Sequence, residues 1–429
     1  MRLRLRALRA LEILDSRGRP TLAVEAELTD GTAAWAQVPS GASTGRFEAI
    51  ELRDRDPARY NGEGVLTAVA NVEQVLSPAL TGMDAEDQAA LDRRMVELDG
   101  TENKARLGAN AILGVSCAVA RAVARARRVP LWQLLAQGRR PVLPVPMVNI
   151  LSGGLHADRN IEFQDFLVIP HGFSTFRAAL EATVMVHRTV FRLLKARGYR
   201  LTGVADEGGW GPQAETNEKP LEILVQAIEA AGYRPGEQIS IALDVAASHF
   251  YREGGYELAT EGRTLDSERM IELLADWAQR YPVLSIEDGL DQEDWGGWSR
   301  LTRRLGSKLQ ILGDDLFTTN PRRLERGIAL GAANAVLVKM NQIGTLTETF
   351  EVLEQARAAR VLAVVSTRSG ETEDTFVADL AVASGAGQFK PGSVTRSERL
   401  AKFNRLLEIE ARTGLPYPGS SIFARFTSR

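Results

Sequence analysis

The rhythm of apolar and polar positions changes twice along this chain of 429 residues. At the start, Met1-Arg-Leu-Arg-Leu-Arg6 alternates charge with Leu, the pattern of an edge strand. Leu22-Ala-Val-Glu-Ala-Glu-Leu28 and Ala33-Ala-Trp-Ala-Gln-Val38 alternate again, and Asp30-Gly31 between them is a hairpin signal. From Val65 to Arg128 the spacing becomes helical; Asp84 stands where an N-cap would, and Asp87 adds a second acid to the first turn. A small sheet followed by helices predicts an α+β cap domain over residues 1–137. The stretch Pro141-Val-Leu-Pro-Val-Pro146 marks the crossing into a second domain, residues 138–429.

Beyond Pro146 strands and helices alternate, which predicts a β/α barrel. Val148 to Leu151 and Phe166 to Ile169 are too close for a parallel crossover, so they are expected to pair antiparallel and begin the barrel irregularly. Four later apolar runs, Ile239 to Leu243, Val283 to Ile286, Leu309 to Leu312 and Ala335 to Val338, lead into Asp244, Glu287, Asp314 and Lys339. These tips are 25 to 43 residues apart, the length of a strand and a helical return. Parallel neighbours in a closed barrel bring such tips to one face. Each acid alone reads as a helix cap. Three on successive units, with Asp288 and Asp315 doubling two of them, point to a divalent cation held by Asp244, Glu287 and Asp314, and ligands that are all oxygen favour Mg²⁺ over zinc.

Composition bounds the container. Hydrophobic residues at 44% and charged residues at 25% are those of a soluble globular protein, too long for one ordinary core. With 52 basic and 55 acidic residues the net charge is −3, which gives no electrostatic case for a nucleic-acid or membrane partner. The single Cys117 excludes an intrachain disulfide and suits a reducing compartment. The first residues lack the continuous apolar stretch of a signal peptide, and the apolar segment Ala109 to Ala120 is too short to span a bilayer, so the expected location is cytoplasmic.

Other motifs surround the tips. Lys339 is either a surface amine with its stem on apolar neighbours or, beside a dication and partly buried, a usable base. Lys390 in Gly387-Gln-Phe-Lys-Pro-Gly392 is its candidate counterpart across the pocket. Ser40-Gly-Ala-Ser-Thr-Gly45 is a loop whose Ser43 would add an oxygen ligand on closing. Leu151-Ser-Gly-Gly-Leu-His-Ala157 looks like a second lid carrying His156, while His171, His187 and His249 read as surface or packing residues. Asp206-Glu-Gly-Gly-Trp210 is a tight turn or a place where the backbone approaches a ligand. Ser366-Thr-Arg-Ser-Gly-Glu-Thr-Glu-Asp374 offers Arg368 and Ser369 to a phosphate, with a following helix N-terminus expected to favour the same anion.

The chain closely resembles the enolase family. The matching stretches include Glu12-Ile-Leu-Asp-Ser-Arg-Gly18, Pro39-Ser-Gly-Ala-Ser-Thr-Gly45, Gly108-Ala-Asn-Ala-Ile-Leu113, Asp206-Glu-Gly-Gly209, Ser285-Ile-Glu-Asp288, Gly313-Asp-Asp-Leu316, Lys339-Met-Asn-Gln-Ile-Gly344, Arg368-Ser-Gly-Glu-Thr-Glu-Asp374 and Arg396-Ser-Glu-Arg-Leu-Ala-Lys402. The resemblance implies an α/β fold, an eccentric β/α barrel preceded by a smaller α+β cap, assembled as a homodimer or higher homo-oligomer. It implies two Mg²⁺ sites, the first held by Asp244, Glu287 and Asp314 and the second joined by Ser43 on closure. It implies Lys339 as the base, Glu207 as the acid and Asp165 as their companion at the leaving-group end. Arg368 and Ser369 would hold phosphate, Lys390 and Gln164 would contact the substrate, and His156 would be a lid histidine. The activity implied is removal of the proton beside the carboxylate of 2-phosphoglycerate and loss of water to give phosphoenolpyruvate, as in glycolysis.

Two departures fall together. Where enolases have His and Glu, this chain has Thr367 and Asp165, both at the leaving-group end. His249, where the family has Glu, lies near a metal-bearing strand. A second reading is therefore a paralogue with a different leaving-group side, such as a carboxyphosphonoenolpyruvate synthase of phosphinothricin-type phosphonate biosynthesis. A third, a non-catalytic protein on the same fold, is disfavoured because a scaffold gains nothing from clustering these charges.

Overall fold

The computed structural model describes residues 2–41 and 45–426. The cap opens with an antiparallel sheet of three strands, β1 (Leu5–Leu14), β2 (Pro20–Leu28) and β3 (Ala33–Gln37), with β2 in the middle. Leu22, Val24, Ala26 and Leu28 of β2 are fully buried against helix α2 (Ala109–Arg127), whose preceding neighbour is α1 (Gln88–Asp99). The approach is close: a Cβ at Gly114 of α2 would lie 2.5 Å from Val24 Cγ2. Helix α2 is longer than the apolar run read from sequence and matches a membrane span in length and composition. Its 18-residue apolar window is 83% buried inside the fold, which makes it the core helix of the cap.

Asp84 does not cap a helix. The cap of α1 is Asp87, whose carboxylate accepts from Ala90 N at 3.0 Å, while Asp84 pairs with Arg4 through a backbone bridge and accepts from Glu86 N. Both acids fit the same local pattern, and the bridge to β1 selects between them.

After the Pro-rich crossing, eight strands close a barrel in chain order: β4 (Val145–Ser152), β5 (Asp165–Ile169), β6 (Ser240–Asp244), β7 (Val283–Glu287), β8 (Gln310–Gly313), β9 (Ala335–Val338), β10 (Leu362–Ser366) and β11 (Gln388–Gly392). As expected, β5 runs antiparallel to both β4 and β6, and every other pair is parallel. The parallel strands are covered on both faces, which is why they read as unbroken apolar runs. Phe423 and Phe426 of the last turn join Val145, Ile169 and Ala335 in one apolar cluster, at the strand ends away from the acidic tips. Cap and barrel are stitched where it matters for a site: Ser40 and Gly370 exchange backbone hydrogen bonds at 2.7 and 2.9 Å, and Arg121 of α2 pairs with Asp374.

Candidate active site

Register decides which side chains meet. Glu287 lies opposite Asp244 across β7 and β6, and Asp165 lies opposite Asp244 across β5 and β6. Because β5 is reversed, its first residue reaches the end where the parallel strands finish. Asp314 and Lys339 directly follow β8 and β9, and Arg368 lies two residues beyond β10. His156, Gln164, Glu207, Lys339, Arg368 and Lys390 thus line one small cavity, of about 20 Å³, at the barrel mouth. A roomier groove of about 600 Å³ lies between cap and barrel, lined by residues such as Ala89, Val123, Leu134 and Phe350, and includes none of the tip residues.

Lysines neutralise the acids. Lys390 Nζ donates at 2.7 Å to both Asp244 Oδ2 and Glu287 Oε2, and Lys339 Nζ donates to Asp314. Gln342 Nε2 donates to Asp314 Oδ1 at 2.8 Å, and Gln164 Nε2 to Asp244 Oδ2 at 3.3 Å. Compensation is incomplete. Burial, then the neighbouring Asp244, pushes the Glu287 carboxyl up to about 8 against the pull of Lys390. Glu287 Oε1 and Gln164 Oε1 are buried without hydrogen-bond partners among the described residues. Unpaired buried oxygens beside carboxylates short of positive charge are what a hard cation relieves, so the donor set Asp244, Glu287 and Asp314 fits one.

Among the described residues, the sets whose ligand atoms already lie within 4.8 Å of one another are others: Asp288, Asp314 and Asp315, and His156, Asp165 and Glu207. Asp288 is committed to the backbone, accepting from Asp314 N at 3.0 Å and Asp315 N at 2.8 Å, and so shapes the strand tip. Ser43 lies outside the described residues. Lys339 pairs with Asp314: burial opposes the charge, Asp314 outweighs burial, and the amine is shifted upward.

At the corner expected to take an anion, Arg368 is buried and donates to Glu48 Oε2 at 2.8 Å and Asn341 Oδ1 at 3.0 Å. As expected, a helix follows the motif, Phe376–Ser384. Arg368 and Ser369 themselves lie in the loop before it, held by the fully buried Arg399, which donates at 2.6 Å to the carbonyls of both residues. Arg17 reaches Ser40 O at 3.2 Å and Ser369 Oγ at 3.5 Å. Sequence reasoning missed Glu48, Asn341, Arg17 and Arg399. The last three lie within recognisable motifs, but nothing in their spacing says which way they face.

The opposite corner is built around Asp165. Its Oδ1 accepts from Asn149 Nδ2 at 2.6 Å and Ser152 Oγ at 2.9 Å, and its Oδ2 is 2.7 Å from His156 Nδ1. His156 Nε2 lies 3.9 Å from Glu207 Oε1. Burial opposes charge on His156, but Asp165 and Glu207 outweigh it and raise its pKa to about 9. Burial likewise works against an ionised Glu207, and His156, Arg399, Lys390 and Lys339 overcome it, lowering that pKa to about 2. Glu207 sits in a turn that needs glycine next door: Gly208 has φ +91°, and a Cβ there would lie 2.6 Å from Thr395 Oγ1. Gly208 O is 3.2 Å from Nε2 of His187, which must donate to it; burial pulls the His187 pKa down to about 4.

Thr367 lines the same cavity, and its hydroxyl donates to Lys390 O at 3.2 Å and accepts from Arg399 at 3.1 Å. As expected of packing residues, His171 and His187 are buried, the former 2.9 Å from Ser240 Oγ. His249 ends a short turn after β6, and burial lowers its pKa.

Residues 5–135 match the protein-family model described as "Enolase, N-terminal domain", and residues 140–424 match that described as "Enolase, C-terminal TIM barrel domain". The matches adjoin in family order and meet at the Pro-rich crossing between cap and barrel, so the chain is an enolase-type lyase in its general class. With both of its domains matched, it belongs to the enolase family.

Proposed function

We propose that this protein is a Mg²⁺-dependent hydro-lyase that takes the α-proton from 2-phosphoglycerate and expels water to give phosphoenolpyruvate. The observation that carries the reading is that Lys339 and Glu207 line one cavity from different parts of the barrel rim. Lys339 stands at the tip of β9, whereas the Glu207 turn is hydrogen-bonded to β4 through Trp210 and Ile150 and to Ser393 just beyond β11. An elimination needs such an arrangement, a base at one carbon and groups that engage the leaving hydroxyl at the next.

Asp244, Glu287 and Asp314 would hold magnesium, with Ser43 adding a ligand to a second ion. Bound there, the ion would place positive charge beside the substrate carboxylate and relieve the surplus of negative charge among these acids. Arg368, with Ser369 beside it, would receive the phosphate, which must displace Glu48. Lys390 would stabilise the dianionic enediolate as its charge develops, and Gln164 would fix the carboxylate end.

Purified protein supplied with Mg²⁺ and 2-phosphoglycerate should develop the ultraviolet absorbance of phosphoenolpyruvate. Absence of both that signal and α-hydrogen exchange into deuterated solvent would reject this substrate. A second reading draws on the rebuilt hydroxyl-side corner, where Thr367 is engaged by Lys390 O and Arg399. On it the protein is an enolpyruvyl-handling paralogue, and exchange would proceed without net dehydration.

A further inference from the structure

From the geometry we infer that the His156–Asp165 pair is the proton donor for the departing oxygen, with Asp165 the positioning residue that turns His156 Nε2 toward Glu207 and the pocket. The inference rests on the elimination proposed above and adds to it the group that serves its leaving-group half. It starts from a gap, because Thr367 stands where an imidazole would be expected and its hydroxyl is committed to Lys390 O and Arg399.

The shortened side chain at 165 is not a retracted remnant. Three groups grip its carboxylate: Asn149 and Ser152 on one oxygen, at 2.6 and 2.9 Å, and His156 on the other, at 2.7 Å. Asp165 and Asn149 are fully buried and Ser152 is 1% exposed, so this grip is built into the floor where β4 and β5 pair. A carboxylate only accepts here, which fixes the proton on Nδ1 and leaves Nε2 as the atom facing the cavity. Nε2 then lies 3.9 Å from Glu207 Oε1, so a substrate hydroxyl seated to one side of the line between them can hydrogen-bond to both. Glu207 is held ionised at neutral pH and His156 is held protonated, so of these two it is the imidazole that carries a proton to give.

In the step, Lys339 takes the α-proton and the C–H electron pair becomes the new double bond. The C–O bond breaks, its electron pair leaves with the oxygen, and that oxygen takes the His156 Nε2 proton and departs as water. Glu207 accepts from the hydroxyl beforehand and stabilises the imidazolium.

Asp165→Asn tests this without changing volume. Its oxygen would remain with the two donors Asn149 and Ser152, which turns the new amide toward His156 Nδ1 and forces the opposite tautomer. In the wild-type protein, ¹H–¹⁵N spectroscopy should show a strongly downfield Nδ1–H for His156, lost in D165N. Product formation should fall about 10²-fold or more with KM little changed, while α-hydrogen exchange stays within about twofold. In a His156→Ala background the same substitution should add nothing further. Persistence of the downfield proton in D165N, parallel loss of exchange and elimination, or additive losses in the double variant would each overturn the inference. A wild-type protein that neither exchanges nor dehydrates 2-phosphoglycerate would defeat the substrate reading instead. The Nδ1–H signal, read without substrate, would still decide whether Asp165 positions His156.

Discussion

The two ends of the pocket are built on different principles. Around Lys339 the side chains come from the tips of parallel strands, and the charges meet in direct ion pairs, two lysines facing three carboxylates: Lys339 on Asp314, and Lys390 on Asp244 and Glu287. Around Glu207 they come from loops, from β4 and from the reversed β5, and are joined through a network of Asn149, Ser152, Asp165 and His156. A strand tip is fixed by its ladder and tolerates little change in the residue type that does its chemistry. A network can shift its proton-carrying member from one position to another while keeping the corner's function, which is how Thr367 and Asp165 fit the elimination proposed here.

The sharpest way to break this comparison is at the strand-tip end. Lys339→Ala should lower both α-hydrogen exchange and product formation, each by about 10⁴-fold, because it removes the proposed base. Equal survival of exchange would mean that another group removes the proton. Next in size, Glu207→Gln should cost roughly 10³-fold in elimination yet leave exchange within a few-fold, measured by deuterium incorporation into recovered substrate. A matched loss of both would show that the two ends do not act separately.

Smaller effects probe how each end is held. His187 supports the Glu207 turn through Gly208 O, and its folded-state pKa of about 4 lies below the unfolded value of 6.5. The unfolded chain therefore binds the extra proton in that window. Stability is intact above pH 6.5 and declines as pH falls toward 4, by about 3 kcal/mol from this residue. Denaturant titrations of His187→Gln should show that much less acid sensitivity than wild type, and an unchanged profile would refute the assignment. Least of all, Glu48→Gln should remove a competitor from Arg368, contributing roughly 1 kcal/mol or about fivefold in KM with kcat steady. A raised KM would instead make Glu48 a substrate contact.

Legibility followed periodicity. The parallel strands and the tips Asp244, Glu287, Asp314 and Lys339 stood out because strands covered on both faces must be continuously apolar, so a charge at their ends is conspicuous. The antiparallel β4–β5 pair was equally readable from loop length. By contrast Asp84 and Asp87 were indistinguishable as caps, and nothing in the spacing announced that Arg399 and Lys402 pin the loop that carries Arg368. Long-range hydrogen bonds of that kind leave no local trace in residue spacing.

By itself the sequence determined the cap and barrel, the order of their strands and the family, because burial of apolar faces and the reach of short connections are local constraints. Tertiary structure alone decided the pairing inside the pocket: Lys390 between Asp244 and Glu287, Glu48 on Arg368, and Asp165 on His156. Those partners lie from 9 to 320 residues apart in the chain, and in a dry interior each buried charge takes whichever opposite group the closed barrel brings within hydrogen-bond reach.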